Sequence, residues 1–112
     1  MANRNLLTKD PLTHYSQALS RRLDEKHVLR LYITGATRRS LRAVANLKAI
    51  CEEHLKGRYE LEVIDLFQYP ALAKEQQIIA APTLLKMAPL PFQRIIGDMS
   101  NKEKVFKGLG LV

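Results

Sequence analysis

The sequence predicts an α/β domain, and three observations carry that prediction. Residues 28–34 (Val-Leu-Arg-Leu-Tyr-Ile-Thr) are an apolar, β-branched run ended by Gly35. A stretch with helical periodicity follows over residues 38–55, and a second strand-like run covers 59–66. Strand, helix and strand in succession make a βαβ unit, whose strands are parallel and whose crossover is right-handed.

The elements follow in chain order. Residues 1–26 read as an extension to a domain that spans 27–112. Asp10-Pro11 has the form of a helix start, with Asp as N-cap and Pro at the first helical position. Leu12, Tyr15, Leu19 and Leu23 then recur at helical spacing, with Arg21, Arg22, Asp24 and Glu25 among them. So sparse an apolar stripe predicts a helix that frays or orders only against a partner, and residues 1–9 are expected to be disordered. In the long helix Thr37 is the expected N-cap. Its apolar stripe is Leu41, Val44, Leu47, Cys51 and Leu55, and Lys56-Gly57 supplies the stop.

The second half is less decided. Residues 71–80 suit a short helix that Pro82 must end. Residues 83–87 fit a strand or a helix, because so short an apolar run declares no period. Residues 92–96 read as a strand stopped by Gly97-Asp98. From Ser100 two readings compete. Ser100-Asn101-Lys102-Glu103 is a capping box that starts a helix. Val105, Lys107, Leu109 and Leu111 alternate as in a strand, and Gly108 and Gly110 would each cost a helix interior about 1 kcal/mol. Local signals that disagree weaken the specification of a single structure.

Composition excludes several classes of function. The chain has 112 residues, enough for one ordinary domain. Hydrophobic residues are 46% and charged residues 26%, which is a globular rather than a disordered balance. No apolar run approaches the roughly 18 residues of a membrane span. The N-terminus shows no apolar segment of a secretory signal. The single cysteine excludes an internal disulfide, a CxxC pair and a Cys-rich zinc site, and suits a cytoplasmic, reducing setting. Cys51 on a helical apolar stripe reads as packing. His14, His27 and His54 lack metal-ligand spacing. No phosphate loop or nucleophile elbow is present, so no catalytic residue, metal or cofactor is expected. Glu60 and Glu62 alternate on a strand and read as solvated or paired.

The net charge of +7 is the strongest compositional signal. Nucleic acid is not its expected target, because the basic residues are dispersed and aromatics are only 6%. Arg38, Arg39 and Arg42 crowd the N-terminal end of the long helix, with Glu52 and Glu53 in its later turns. The helix dipole prefers the reverse by about 0.3–1 kcal/mol per charge. Local stability does not explain that placement; two readings remain, an acidic partner surface or solvated residues that carry a small, tolerated penalty.

Strand, loop, helix and a later Ala-Pro-Thr form the layout of thioredoxin. Its redox pair would sit where Thr37-Arg38-Arg39-Ser40 stands. Hydroxyls cannot perform thiol–disulfide exchange, which needs a thiolate attacker and a sulfur leaving group. Such a scaffold would carry no redox chemistry here.

Particular residues then resemble a known family. Leu31-Tyr32-Ile33-Thr34-Gly35, Val63-Ile64-Asp65 and Pro70 through Leu72-Ala73 are similar to the KaiB family of circadian clock proteins. So are Ala81-Pro82-Thr83-Leu84, Lys86, Pro89, Pro91, Ile95-Ile96-Gly97-Asp98, Ser100, Glu103-Lys104-Val105 and Gly108-Leu109. The resemblance implies a non-enzymatic, thioredoxin-like protein able to switch folds. One form is a βαβαββα monomer and the other a βαββααβ tetramer, the latter being the form expected in crystals. It implies binding to a KaiC-like ATPase and self-association as a dimer or tetramer. A sensor kinase is the alternative partner. Arg42, Lys86 and Arg94 match basic family positions and are carried over as partner contacts, joined by Arg38 and Arg39, which belong to this sequence. Pro82, Pro89, Pro91, Gly108 and Gly110 are the expected fold-switch positions, the prolines through slow X-Pro isomerisation. Gly110 replaces the family's Asp, Leu90 interrupts its proline run, and the acidic tail of cyanobacterial clock members is missing after Val112. These departures look more like KaiB-like proteins of non-photosynthetic bacteria, where a stress-response role stands beside timekeeping.

Overall fold

The computed structural model describes residues 25–111. The helix expected after Asp10-Pro11 lies outside them. The elements are β1 (His27–Ile33), α1 (Arg38–His54), β2 (Tyr59–Asp65), α2 (Pro70–Glu75), β3 (Thr83–Ala88), β4 (Gln93–Ile96) and α3 (Lys102–Leu109). This is the βαβαββα order. The tetramer-type order expected in crystals is not the one adopted.

The four strands form one sheet in the order β2-β1-β3-β4. β1 and β2 run parallel from His27↔Tyr59 to Ile33↔Asp65, which the α1 crossover requires. β3 returns antiparallel to β1, and β4 antiparallel to β3. The ambiguous run at residues 83–87 is therefore a strand. Pairing on both sides decides it, where local propensity could not.

Strand alternation sends side chains to two cores. On one face Leu29, Leu31, Leu84 and Ile95 meet α1 and α3 through Ala43, Leu47, Ile50, Val105 and Leu109. On the other, Tyr32 and Leu85 meet Leu66 and Ile78, with Leu72 and Ala73 of α2 against them. Cys51 is buried in the first core, where burial pushes its thiol up to about 11. It packs as a small hydrophobe and is not a reactive thiolate.

One detail of α1 differs from the sequence expectation. Its buried face is Ser40, Ala43, Leu47, Ile50 and Cys51, while Leu41 is 57% exposed. The stripe is rotated because the Ser40 hydroxyl turns inward, accepting from the Thr34 N–H at 3.2 Å and the Thr37 hydroxyl at 2.8 Å. The helix closes at the C-cap Leu55, within the expected bounds, and Gly57 follows at φ 77°.

The C-terminal segment is helix, not strand. Its N-cap is Asn101, whose side chain accepts from the Lys104 N–H at 3.1 Å. Ser100 does not cap it, because its hydroxyl donates to Asp98 at 2.6 Å. Gly108 lets the helix lie on β4, since a Cβ there would meet Ile95 Cδ1 at 2.2 Å. Gly110 closes the helix at φ 77°, the left-handed conformation that glycine adopts without a Cβ penalty. The bonds preceding Pro82, Pro89 and Pro91 are cis.

Candidate interaction site

Parallel β1 and β2 end at the side of the sheet where β3 begins and β4 ends. This gathers the Thr34–Thr37 turn, the loop after Asp65, Pro82 and the loop after Ile96 at one end. Asp65 organises it. Its Oδ1 accepts the N–H groups of Gly35 and Phe67, both at 2.9 Å. Phe67 lies over Gly35 so closely that a Cβ there would be 2.9 Å from its ring.

At the start of α1, Thr37 and Ser40 occupy the redox-pair position as a hydrogen-bonded hydroxyl couple. The Thr37 Oγ1 also accepts the Ser40 N–H at 3.2 Å, the N-cap bond. Both oxygens are spent on closing the helix end. Around them lie exposed Arg38, Arg39, Leu41, Phe67 and Tyr69. Neither Arg38 nor Arg39 has an ion-pair or hydrogen-bond partner among the described residues. Cations beside exposed aromatic and aliphatic side chains form a surface suited to an acidic, partly apolar protein partner.

The other expected contact residues are engaged within the fold. Arg42 pairs with Asp98 at 3.1 Å, and Asn46 donates to the Asp98 carbonyl at 3.0 Å. The Ser100 hydroxyl and N–H, with Arg42, hold the Asp98 carboxyl down to about 2. Arg94 donates to the carbonyls of Gln77 and Gln76 at 3.1 and 3.2 Å, tying β4 to the end of α2. Lys86 is 3% exposed, and burial lowers its pKa. Of the five residues, only Arg38 and Arg39 are exposed cations with no partner among the described residues. Phe67 and Tyr69 were missed by sequence reasoning. Their signal was two aromatics in a loop directly after a strand end.

Pro82 immediately precedes β3 at this end, whereas Pro89 and Pro91 lie in the opposite β3–β4 turn. Gly108 and Gly110 lie in and after α3, so the five expected fold-switch positions do not form one cluster. Glu60 and Glu62 pair with Lys26 and Arg30. Among the described residues no three metal-ligating side chains come together, and no helix is long and apolar enough to cross a membrane.

A sheet of this topology with a hydroxyl couple at the helix start defines a thioredoxin-like domain without the thiols of that position. Solved structures agree on the fold. The N-terminal domain of Synechococcus elongatus SasA matches with a TM-score of 0.63 at 20% identity, over 79% of this chain and 87% of that one. Chloroplastic thioredoxin z matches with a TM-score of 0.65 at 17% identity, over 99% and 96%. The KaiB domain family model matches residues 30–111. The circadian clock protein KaiB3 of Synechocystis sp. is 54% identical over 85 residues, 76% of this chain and 83% of that protein. The circadian clock oscillator protein KaiB of Thermostichus vulcanus is 50% identical over 90 residues, 80% and 83%. The chain belongs to the KaiB family.

Proposed function

We propose that this chain is a non-enzymatic regulatory protein that binds a KaiC-type ATPase and modulates its output, in circadian timing or stress adaptation. The observation that carries the reading is the start of α1. A hydroxyl couple stands in place of thiols there, and Arg38 and Arg39 are exposed beside Leu41, Phe67 and Tyr69 with no partner among the described residues. Family membership supports the clock-related role. Arg38 and Arg39 make the direct contacts. Arg42, Lys86 and Arg94 act through the arrangement they hold, and reach a partner only by giving up their internal positions. Pro82, Pro89, Pro91, Gly108 and Gly110 flank or lie in the elements that the alternative βαββααβ order would rebuild. Fold switching and self-association into a dimer or tetramer complete this reading.

A pull-down of the full chain on a KaiC-type ATPase, in ATP and in ADP, tests it. The expected result is a complex in at least one nucleotide state. No complex in either overturns the reading.

A further inference from the structure

One face of α1 is open. Arg38, Leu41, Ala45, Ala49 and Glu52 are exposed on it, opposite the buried face of Ser40, Ala43, Leu47, Ile50 and Cys51. Arg38, Ala45 and Glu52 stand seven residues apart, close to two helical turns, so they lie on one line. That line is about 21 Å long. Leu41 and Ala49 flank it. Its charges oppose the helix dipole, with a cation at the N-terminal end and an anion near the C-terminal end. Neither charge is compensated within the fold. Among the described residues no cation pairs with Glu52, whose carboxylate accepts the Tyr59 hydroxyl, and no anion pairs with Arg38.

We propose that this face pairs with the same face of a second copy, α1 against α1, antiparallel about a two-fold axis at Ala45. The proposal rests on the self-association in the reading above and gives it a surface. Arg38 and Glu52 are equally far from Ala45 along the helix. The axis therefore sets Arg38 of each copy opposite Glu52 of the other. Leu41 and Ala49 are equidistant as well and meet as an apolar contact. So are the like charges Arg42 and Lys48, but the helical turn puts them on opposite flanks of the line. A two-fold axis keeps each flank against the same flank of the other copy, so these two do not meet. Arg42 is moreover held by Asp98. Each helix start also comes to lie beside the other helix's end. Charges that conflict with their own dipole then agree with their neighbour's. A uniformly acidic partner fits the N-terminal end of this face alone, because it attracts Arg38 and repels Glu52. A face ordered from plus to minus is complementary to itself. Four turns of one helix bury less than the roughly 1,200 Å² of a standard interface, so the pair is weak and salt-sensitive. While it lasts, it hides Arg38 and Leu41 from the ATPase.

Sedimentation velocity of the full chain, alone in solution, tests the pairing. At low salt the average mass is expected to rise with concentration toward that of two chains, and to fall back at high salt. Arg38→Glu alone and Glu52→Arg alone are each expected to weaken association at least tenfold. Mixing these two variants in equal amounts is expected to restore it, because every contact across the axis then joins opposite charges. A chain that stays monomeric at every concentration overturns the proposal, and so does a mixture that fails to associate. Association that survives either single substitution also overturns it, and leaves self-association standing on another surface. The ATPase pull-down is a separate measurement, so its failure is distinguishable from failure of this pairing.

Discussion

Replacing Lys86 by Met is expected to stabilise the domain. Lys86 sits on β3 between β1 and β4, 3% exposed, opposite Leu29 and Gln93. No ion pair or hydrogen bond holds its amine among the described residues. The stem is buried but the amine keeps some access to solvent, so its cost falls short of the roughly 1–3 kcal/mol of a fully buried polar group without a partner. The end of α3 offsets part of this, because a Cβ on Gly110 would lie 3.9 Å from Lys86 Nζ. A cation at a helix C-terminus gains about 0.3–1 kcal/mol. Met keeps the length and flexibility of the stem without the charge. The net expectation is a gain of about 1 kcal/mol or less, up to about 4–8 °C in Tm for a domain of this size. Urea unfolding at pH 7 measures it, with the slope m unchanged. The pH dependence gives a second check. Burial lowers the Lys86 pKa in the folded state. The unfolded state then binds more protons between the two pKa values, so wild-type stability rises with pH from the folded value to the unfolded one. The Met variant lacks this rise, so its advantage shrinks as the solution becomes alkaline. A Met variant less stable at pH 7, or an advantage that grows with pH, would refute the reasoning.

Three further outcomes follow from the geometry. Thr37→Cys with Ser40→Cys places thiols where two oxygens are 2.8 Å apart. Chain-entropy arithmetic gives closure of a four-residue loop about 2 kcal/mol over the reduced form, and about 1 kcal/mol over wild type once the lost cap is subtracted. The oxidised variant should therefore gain Tm over its reduced form and reduce insulin in a coupled assay, and failure of the bond to form would sink the assignment of this position. Asp98→Asn removes a carboxylate held at about 2, so its deficit against wild type should be constant above about pH 4 and fade as pH falls through 2. A deficit that instead widens in acid, followed by circular dichroism, contradicts the bonding described at Asp98. Gly110→Ala puts a side chain at φ 77°, where its Cβ would meet only Lys86 Nζ at an ordinary 3.9 Å, so a loss of about 1 kcal/mol in urea unfolding should come from the backbone. An unchanged midpoint would mean that this cap does not help hold α3.

The βαβ half was legible because its elements are long enough to declare a period. The Gly35 turn, the Thr37 cap and the β1 and β2 runs all agree with one another. The buried face of α1 was read one residue off. Nothing local shows that Ser40 would turn inward to hold Thr34 and Thr37 and so expel Leu41. The second half depended on distant partners. β3 is a strand because β1 and β4 flank it, and α3 is a helix because Gly108 fits under Ile95. The same holds for the basic residues. Arg42 meets Asp98 56 residues away, and Arg94 meets Gln76 and Gln77 18 and 17 residues away. No single-sequence pattern distinguishes such internal ties from the exposed cations Arg38 and Arg39.

The salt dependence of binding between the full chain and a KaiC-type ATPase tests the central claim most directly, measured for wild type and for Arg38→Ala/Arg39→Ala. The wild-type Kd should rise steeply with ionic strength. The double variant should bind at least tenfold more weakly at low salt with a much flatter dependence, its urea midpoint unchanged. Equal affinity and equal salt slope for the two proteins would contradict the assignment of the basic end of α1 as the contact surface.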